Sequence, residues 1–366
     1  MPDTGKLHLR IGWDGNRVLG VDVKSTRPHA YRILEGRAPD KAVQLVPMLF
    51  SVCGKAQQAE AVAVVSVAQG RDYPQSLERG VVCEAMQEHL WRLLLDWPGL
   101  MGLQQEQQQF VRWHGALNDL AAGRGDPADL LRELCQVLLG MAHEEWNQLN
   151  SFDKVSGWMK AKQGLLAPIL AAIDAKESKL DFVGAVAACA FMPIWTASEA
   201  VQKFASHLDH EFSAKPQHEG EPMEAGTLAH YQTSPLLQSV LYQRPARLLA
   251  RVIARLVDLL DSVEALVQET STGRIQSVAV SDCRGLSVVR TARGMLLHYA
   301  RIESERVANY LTVAPTEWNF HPQGALATGL TGLQEKDPEQ LMETIRYYIL
   351  SLDPCVEYEI EIKDVL

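Results

Sequence analysis

The chain reads as an α+β fold in which a central helical bundle is flanked by β-rich ends that meet. Three observations predict it. An apolar–polar alternation around an Asp-Gly turn opens the chain, helical spacing dominates the middle, and short β-type runs return after Gly273 before one last helix. With 366 residues, 47% of them apolar, there is enough chain for a large core. A single domain over 1–366 is expected. Residues 1–50 should be β-rich, 51–270 a helical middle, and 271–366 β-rich again with a final helix.

Taking the elements in order, residues 7–23 form a hairpin. Leu7, Leu9 and Ile11 alternate with polar residues, Asp14-Gly15 supplies the turn, and Val18 to Val23 returns. Helical texture begins at Ala42. Glu84 to Asp96 carries Leu90, Leu93 and Leu94 at helical spacing, and Trp97-Pro98 is the expected stop. Asp126-Pro127-Ala128-Asp129 opens a helix through Leu130, Leu134, Leu138 and Met141: an acid at the N-cap, a proline at the first position, and an acid facing the positive helix end. Further helices are expected at 155–175 and 183–210, then a surface loop from Ala214 to Ser234 rich in Pro and Gly. The clearest amphipathic helix is 246–268, with Leu249, Ile253, Leu256, Leu260, Val263 and Val267 on one face. Arg247, Arg251 and Arg255 form a second row, read as a solvated face even though cations near a helix start oppose its dipole. Strands are expected at Ser277–Val280, Leu286–Val289, Met295–Ile302 and Arg306–Val313, and a last helix near 338–351.

Composition excludes several function classes. A net charge of −10 with no dense basic run argues against nucleic acid as a partner. The start, MPDTGKLHLR, has no apolar export signal, and the longest uncharged run, Phe182 to Ser198, is short for a membrane span and reads as a buried helix. A cytoplasmic protein is expected. Six cysteines, at 53, 83, 135, 189, 283 and 355, are too dilute for a disulfide framework, and none forms a C-x-x-C pair. His207-x-x-His210 with Glu211 could hold a metal but lacks a further ligand, so surface histidines are the simpler reading. His143-Glu144-Glu145 lacks the second histidine of a zincin, and Gly123-Arg124-Gly125 lacks the Lys-Ser/Thr of a phosphate loop.

The informative stretches are LEGRAPDKAVQLVPMLFSVCGKAQQAEA (34–61), RTARGMLLHYARIESERVANYLTVAPTEWNFHP (290–322) and LDPCVEYEIEI (352–362). Together they resemble the large subunit of nickel–iron hydrogenases. That family carries C-G-x-C-x-x-x-H near its N-terminus, then A/P-R-G-x-L-x-H and P-[ST]-x-W-N, and D-P-C-x-x-C-x-x-H at its C-terminus. The three stretches occur in the family's order, and between them only HLWRLLLDWP matches.

The departures define the expectation. In the family four thiolates hold nickel, and two of them bridge to an iron that carries cyanide and carbon monoxide. Here the first cysteine of each pair is kept, as Cys53 and Cys355, while Ala56 and Tyr358 stand at the second positions. Glu60 and Glu361 replace the motif histidines, Ser51 replaces an arginine, and Thr4 stands near the position of the enzymes' proton-transfer glutamate. A soft metal held by thiolates is lost when their number is halved, so no nickel and no hydrogenase activity are expected. The surrounding residues match better. Arg293 corresponds to the family arginine above the metals, Asp353 to the carboxylate that holds it, and Thr316 after Pro315 to a hydroxyl that binds a cyanide. A third carboxylate corresponds to Glu84 or Glu88. A hydrogenase-like fold with this reduced set resembles the HupK/HoxV-type accessory proteins, which are hydrogenase maturation factors. No long tail follows Glu361 for the protease that finishes true large subunits.

The resemblance implies a non-enzymatic scaffold that transiently carries an Fe(CN)2(CO) fragment and passes it to the apo hydrogenase large subunit. Cys53 and Cys355 would be the iron ligands, although in the enzymes these two positions are terminal nickel ligands. Either the pair binds iron in a shifted pose or the iron sits elsewhere. Arg293, Thr316 and Pro315 would face the diatomic ligands, and Asp353 would orient Arg293. The implied partners are the immature large subunit and small iron-delivering chaperones of the HypC/HypD kind. The alternative is a metal-free docking protein for the same partners, with Cys53 and Cys355 as inert buried thiols.

Overall fold

The computed structural model describes residues 5–50, 52–184 and 188–364. Thr4, Ser51 and a portion of the Phe182–Ser198 run lie outside the described residues. The N-terminal hairpin pairs Lys6–Trp13 with Val18–Ser25, and its two-residue period buries Leu7, Leu9 and Ile11 on one face. The Asp14 carboxylate accepts the N–H groups of Asn16 and Arg17 and closes the turn. A C-terminal strand, Glu357–Asp364, lies parallel against Lys6–Trp13, so the first strand is central in a three-stranded sheet. The two ends of the chain meet in this sheet.

The other expected strands form their own antiparallel meander, Ile275–Ser281, Arg284–Thr291, Gly294–Glu303 and Arg306–Val313. The alanine-rich helix Gly54–Ala68 packs on this sheet at close range. A Cβ on Gly285 would stand 2.5 Å from the Val64 carbonyl oxygen, so only glycine admits this approach.

The long helix, Leu248–Val267, forms as expected, but its arginine row is not a solvated face. Arg251 and Arg255 are 5% and 4% exposed. The reason lies in the segment read as a surface loop. Ala214–Ser234 folds inward, with a short strand at Met223–Glu224 and a helical turn at Thr227–Tyr231, and it buries Glu224, Ala225, Thr227 and Leu228. Glu224 then neutralises Arg247 and Arg251. Further along the helix, Asp258 accepts hydrogen bonds from His89, Arg274, Arg290 and Tyr231, which ties the helix to the meander and to the helix Leu77–Trp91.

Three helix expectations need correction. The stretch 155–175 is split into Phe152–Ala161 and Leu166–Glu177, with Lys162 left-handed between them. Helix 183–210 does not form over the described residues before Ala197: Asp181–Phe182, just ahead of it, and Ala190–Phe191, within it, are two-residue strands. Helix begins only at Ala197, where the Thr196 hydroxyl accepts the Glu199 N–H and the Glu199 carboxylate reaches back. The Phe182–Ser198 run is therefore not a buried helix; no helix among the described residues is long and apolar enough to cross a membrane. Finally, the helix through Leu90 continues past Trp97-Pro98. It passes through a π-helical turn, Arg92–Asp96, into Trp97–Leu100, and the Leu94 carbonyl, which Pro98 cannot serve, accepts the Glu106 N–H instead. The cap at Asp126 and the last helix, Pro338–Leu352, stand as expected.

Candidate functional site

Each motif residue is placed by an unusual piece of backbone. Arg293 sits in the two-residue hairpin between Arg284–Thr291 and Gly294–Glu303, where Thr291 pairs with Gly294. The Thr291 hydroxyl accepts the Arg293 N–H and donates to the Gly294 carbonyl. Gly294 has φ +124°, and a Cβ there would meet the Gly226 nitrogen at 2.6 Å, so the Arg-Gly pair is required by the turn and by its neighbour. Cys53 is left-handed (φ 52°, ψ 42°) and opens the helix Gly54–Ala68. The Glu84 carboxylate accepts the N–H groups of Lys55 and Ala56 at 2.8 and 2.9 Å and caps that helix from outside. Asp353 is left-handed at the end of the last helix, and Pro354-Cys355 follow. Left-handed backbone at Cys53 and Asp353 costs about 1 kcal/mol or more each and persists only where the surroundings dictate it.

Around Asp353 three guanidinium groups converge. Arg92 lies 2.8 Å and Arg293 Nε 3.3 Å from its Oδ1, and Arg255 lies 3.1 Å from its Oδ2. Burial would raise this carboxyl, but Arg293, Arg255 and Arg92 hold it well below the usual carboxylate range. The π-helical turn is what aims Arg92, which also pairs with Asp96. Of the two candidate carboxylates, Glu88 reaches Arg293, at 2.6 Å, whereas Glu84 serves the Cys53 helix. Arg293 Nη1 is buried with no hydrogen-bond partner.

Thr316, behind the buried Pro315 in the short helix Pro315–Asn319, lies against Cys355. Its hydroxyl donates to Cys355 Sγ at 3.2 Å and accepts the Cys355 N–H at 3.2 Å. Cys53 lines a small cavity with Ala56, Glu84, Glu88 and Arg293, and Cys355 is close enough to affect its charge. Burial first, then Cys355, Glu84 and Glu88, push the Cys53 thiol up against the opposing pull of Arg293. The fold thus brings Cys53, Cys355, Arg293, Thr316 and Asp353 into one site from three distant stretches.

Sequence reasoning missed Arg27. It follows the hairpin and donates to Glu317 at 3.1 Å, with both side chains mostly buried. Burial would lower the Arg27 guanidinium, but Cys355, Glu317 and Cys53 together raise it, so it flanks the two thiols along with Arg293. Nothing but the Arg27-Pro28 step, which fixes an extended backbone, marks it in the sequence. Tyr358 and Glu361 instead lie in the C-terminal strand, with Tyr358 opposite Leu7 and Glu361 paired with Arg10 on the exposed sheet. Glu60 is wholly buried, and neither carboxyl oxygen has a hydrogen-bond partner. His210 bonds Tyr31, and no group of three or more metal-ligating side chains occurs among the described residues.

Comparison with known proteins places the chain among hydrogenase-related sequences and folds. The family of nickel-dependent hydrogenases matches residues 191–358. The hydrogenase expression/formation protein HoxV of Cupriavidus necator is 27% identical, over 99% of this chain and 97% of its own length. The hydrogenase expression/formation protein HupK of Azotobacter vinelandii is 26% identical, over 98% and 99%. Among solved structures, the nickel–iron–selenium hydrogenase of Desulfovibrio vulgaris Hildenborough in its reduced state superposes with a TM-score of 0.58, at 17% identity, over 94% of each chain.

Proposed function

From a hydrogenase large-subunit fold and full-length similarity to hydrogenase expression/formation proteins, we propose that this chain acts in hydrogenase maturation as a non-enzymatic scaffold. Its cargo would be the Fe(CN)2(CO) fragment, received from small iron-delivering chaperones and passed to the immature large subunit. One observation carries the reading: two thiols from opposite ends of the sequence stand in a single site with two guanidinium groups, one of which has a buried N–H without a partner. Ferrous iron with two cyanides and two thiolates is a dianion. Arg27 and Arg293 would offset that charge, and the free Arg293 Nη1 is a donor suited to cyanide nitrogen, while the Thr316 hydroxyl, which donates to Cys355 Sγ, would turn to a cyanide only by giving up that bond. Asp353 fixes the Arg293 plane, with Arg92 and Arg255 bracing Asp353 in turn. Because burial keeps the Cys53 thiol protonated, loading has to displace its proton.

A metal-free docking role is the second reading, favoured by the loss of two ligand positions to Ala56 and Tyr358. Protein purified without oxygen from its host separates the two. The scaffold reading expects infrared bands of cyanide and carbon monoxide that disappear in Cys53→Ala and Cys355→Ala. Iron-free protein, with both variants still supporting maturation, would sink it in favour of docking.

A further inference from the structure

Arg293 also lines a second, small cavity that Cys53 does not line, with room for little more than a water-sized group and far below the usual range for organic ligands. It is lined by Arg251, Arg255 and Arg293 together with Glu224, Thr227 and Ser351. Arg255 Nη1 and Arg293 Nη1 are both buried without a hydrogen-bond partner. Ion pairing around it is uneven. Arg247 and Arg251 share Glu224, Arg92 has Asp96 and Asp353, Arg293 has Glu88 and Asp353, and Arg255 has only its share of Asp353. Asp353 is thus shared by three guanidinium groups, and among the described residues Arg255 has no ion pair besides it. Glu177 accepts the N–H groups of Leu248 and Leu249 at the start of the long helix, and its charge serves Arg251 and Arg244 rather than Arg255. Both Glu224 oxygens are engaged by arginines, and Arg251 donates to the Ser351 hydroxyl. A buried guanidinium short of a counter-charge is costly, and burial together with repulsion from Arg92 and Arg293 lowers Arg255 despite Asp353.

We propose that this cavity is a binding site for one small monovalent anion, of one to three heavy atoms, held between Arg255 Nη1 and Arg293 Nη1. Halide, formate and cyanide share the required chemistry: a single negative charge, compact size and acceptor capacity on two sides. The Thr227 hydroxyl donates to the Ala292 carbonyl, so its hydrogen is already committed. Arg293 Nη1 carries two hydrogens, so the anion and a cyanide beside Cys53 and Cys355 would each take one; Arg255 belongs to the anion site alone.

Crystals of the full chain grown without halide, soaked in sodium bromide and measured at the bromine absorption edge test this directly. The expected result is an anomalous peak within hydrogen-bond reach of both Nη1 atoms, absent from Arg255→Gln crystals. In solution, sodium formate should raise the thermal midpoint saturably above sodium gluconate at equal ionic strength, with at least a tenfold weaker apparent affinity in Arg255→Gln. If Arg255→Gln does not fold, the wild-type crystal still decides. A water without anomalous signal at that position, or formate and gluconate acting alike, overturns the proposal.

Discussion

Replacing Glu60 by Gln isolates the effect of one buried carboxyl on stability. Glu60 takes the place of a motif histidine in the helix Gly54–Ala68 and is fully buried. His298 Nε2, 3.8 Å away, already bonds Gln57 Oε1, and burial pushes His298 down to about 3, so it offers no positive charge. Burial therefore raises the Glu60 carboxyl well above its ordinary value of 4.5. The folded chain keeps this proton after the unfolded chain has lost it, so the wild type loses stability as pH rises from 4.5 toward the folded pKa. The slope rises from half of about 1.4 kcal/mol per pH unit at 4.5 toward that full value, which accumulates to roughly 2.3 kcal/mol by 6.5. Gln does not titrate, and any constant penalty for its amide leaves the slope untouched. Urea unfolding of wild type and Glu60→Gln at several pH values from 4.5 to 6.5 measures the difference. Parallel stability curves would show that Glu60 titrates alike in both states and would refute the argument.

Further measurements address the site and its support. Asp353→Asn leaves three arginines around a neutral amide and should destabilise the chain by about 3–5 kcal/mol in denaturant unfolding; a change under about 1 kcal/mol would mean the cluster is solvated. Brief alkylation with iodoacetamide near pH 8 should label the exposed Cys283 first and leave Cys53 slow, because burial holds its thiol protonated; equal rates by mass spectrometry would contradict that state. Gly285→Ala drives a methyl into the Val64 carbonyl and the Val67 side chain, so a loss of about 1–3 kcal/mol is expected, and an unchanged thermal midpoint would show that the helix and meander can separate freely.

Several of these groups are visible in the sequence. Cys53, Cys355, Arg293, Thr316 and Asp353 stand out because local motifs such as Cys-Gly, Arg-Gly and Asp-Pro-Cys encode turns that can be read over a few residues. The choice between Glu84 and Glu88 is not legible there, since one helical turn separates them and both suit the same face. Arg27 is silent because its significance lies in proximity to thiols far away along the chain.

The same division runs through the fold. Alternation determined the hairpin and the meander, and caps determined the helices at Asp126 and near 338, because periodicity and end chemistry act within a few residues. Whether a charged row faces water is decided by what packs on it. Arg251 and Arg255 look like a solvated stripe until Glu224, folded in from an apparent loop, and Asp353, at the end of another helix, supply their counter-charges. Composition likewise made Phe182–Ser198 look helical, whereas tertiary packing places short strands there. The sequence by itself determined which residues could form a thiol and guanidinium site. Only the tertiary structure decided how its charges are shared, because Coulomb interactions and desolvation depend on distance and burial rather than on order along the chain.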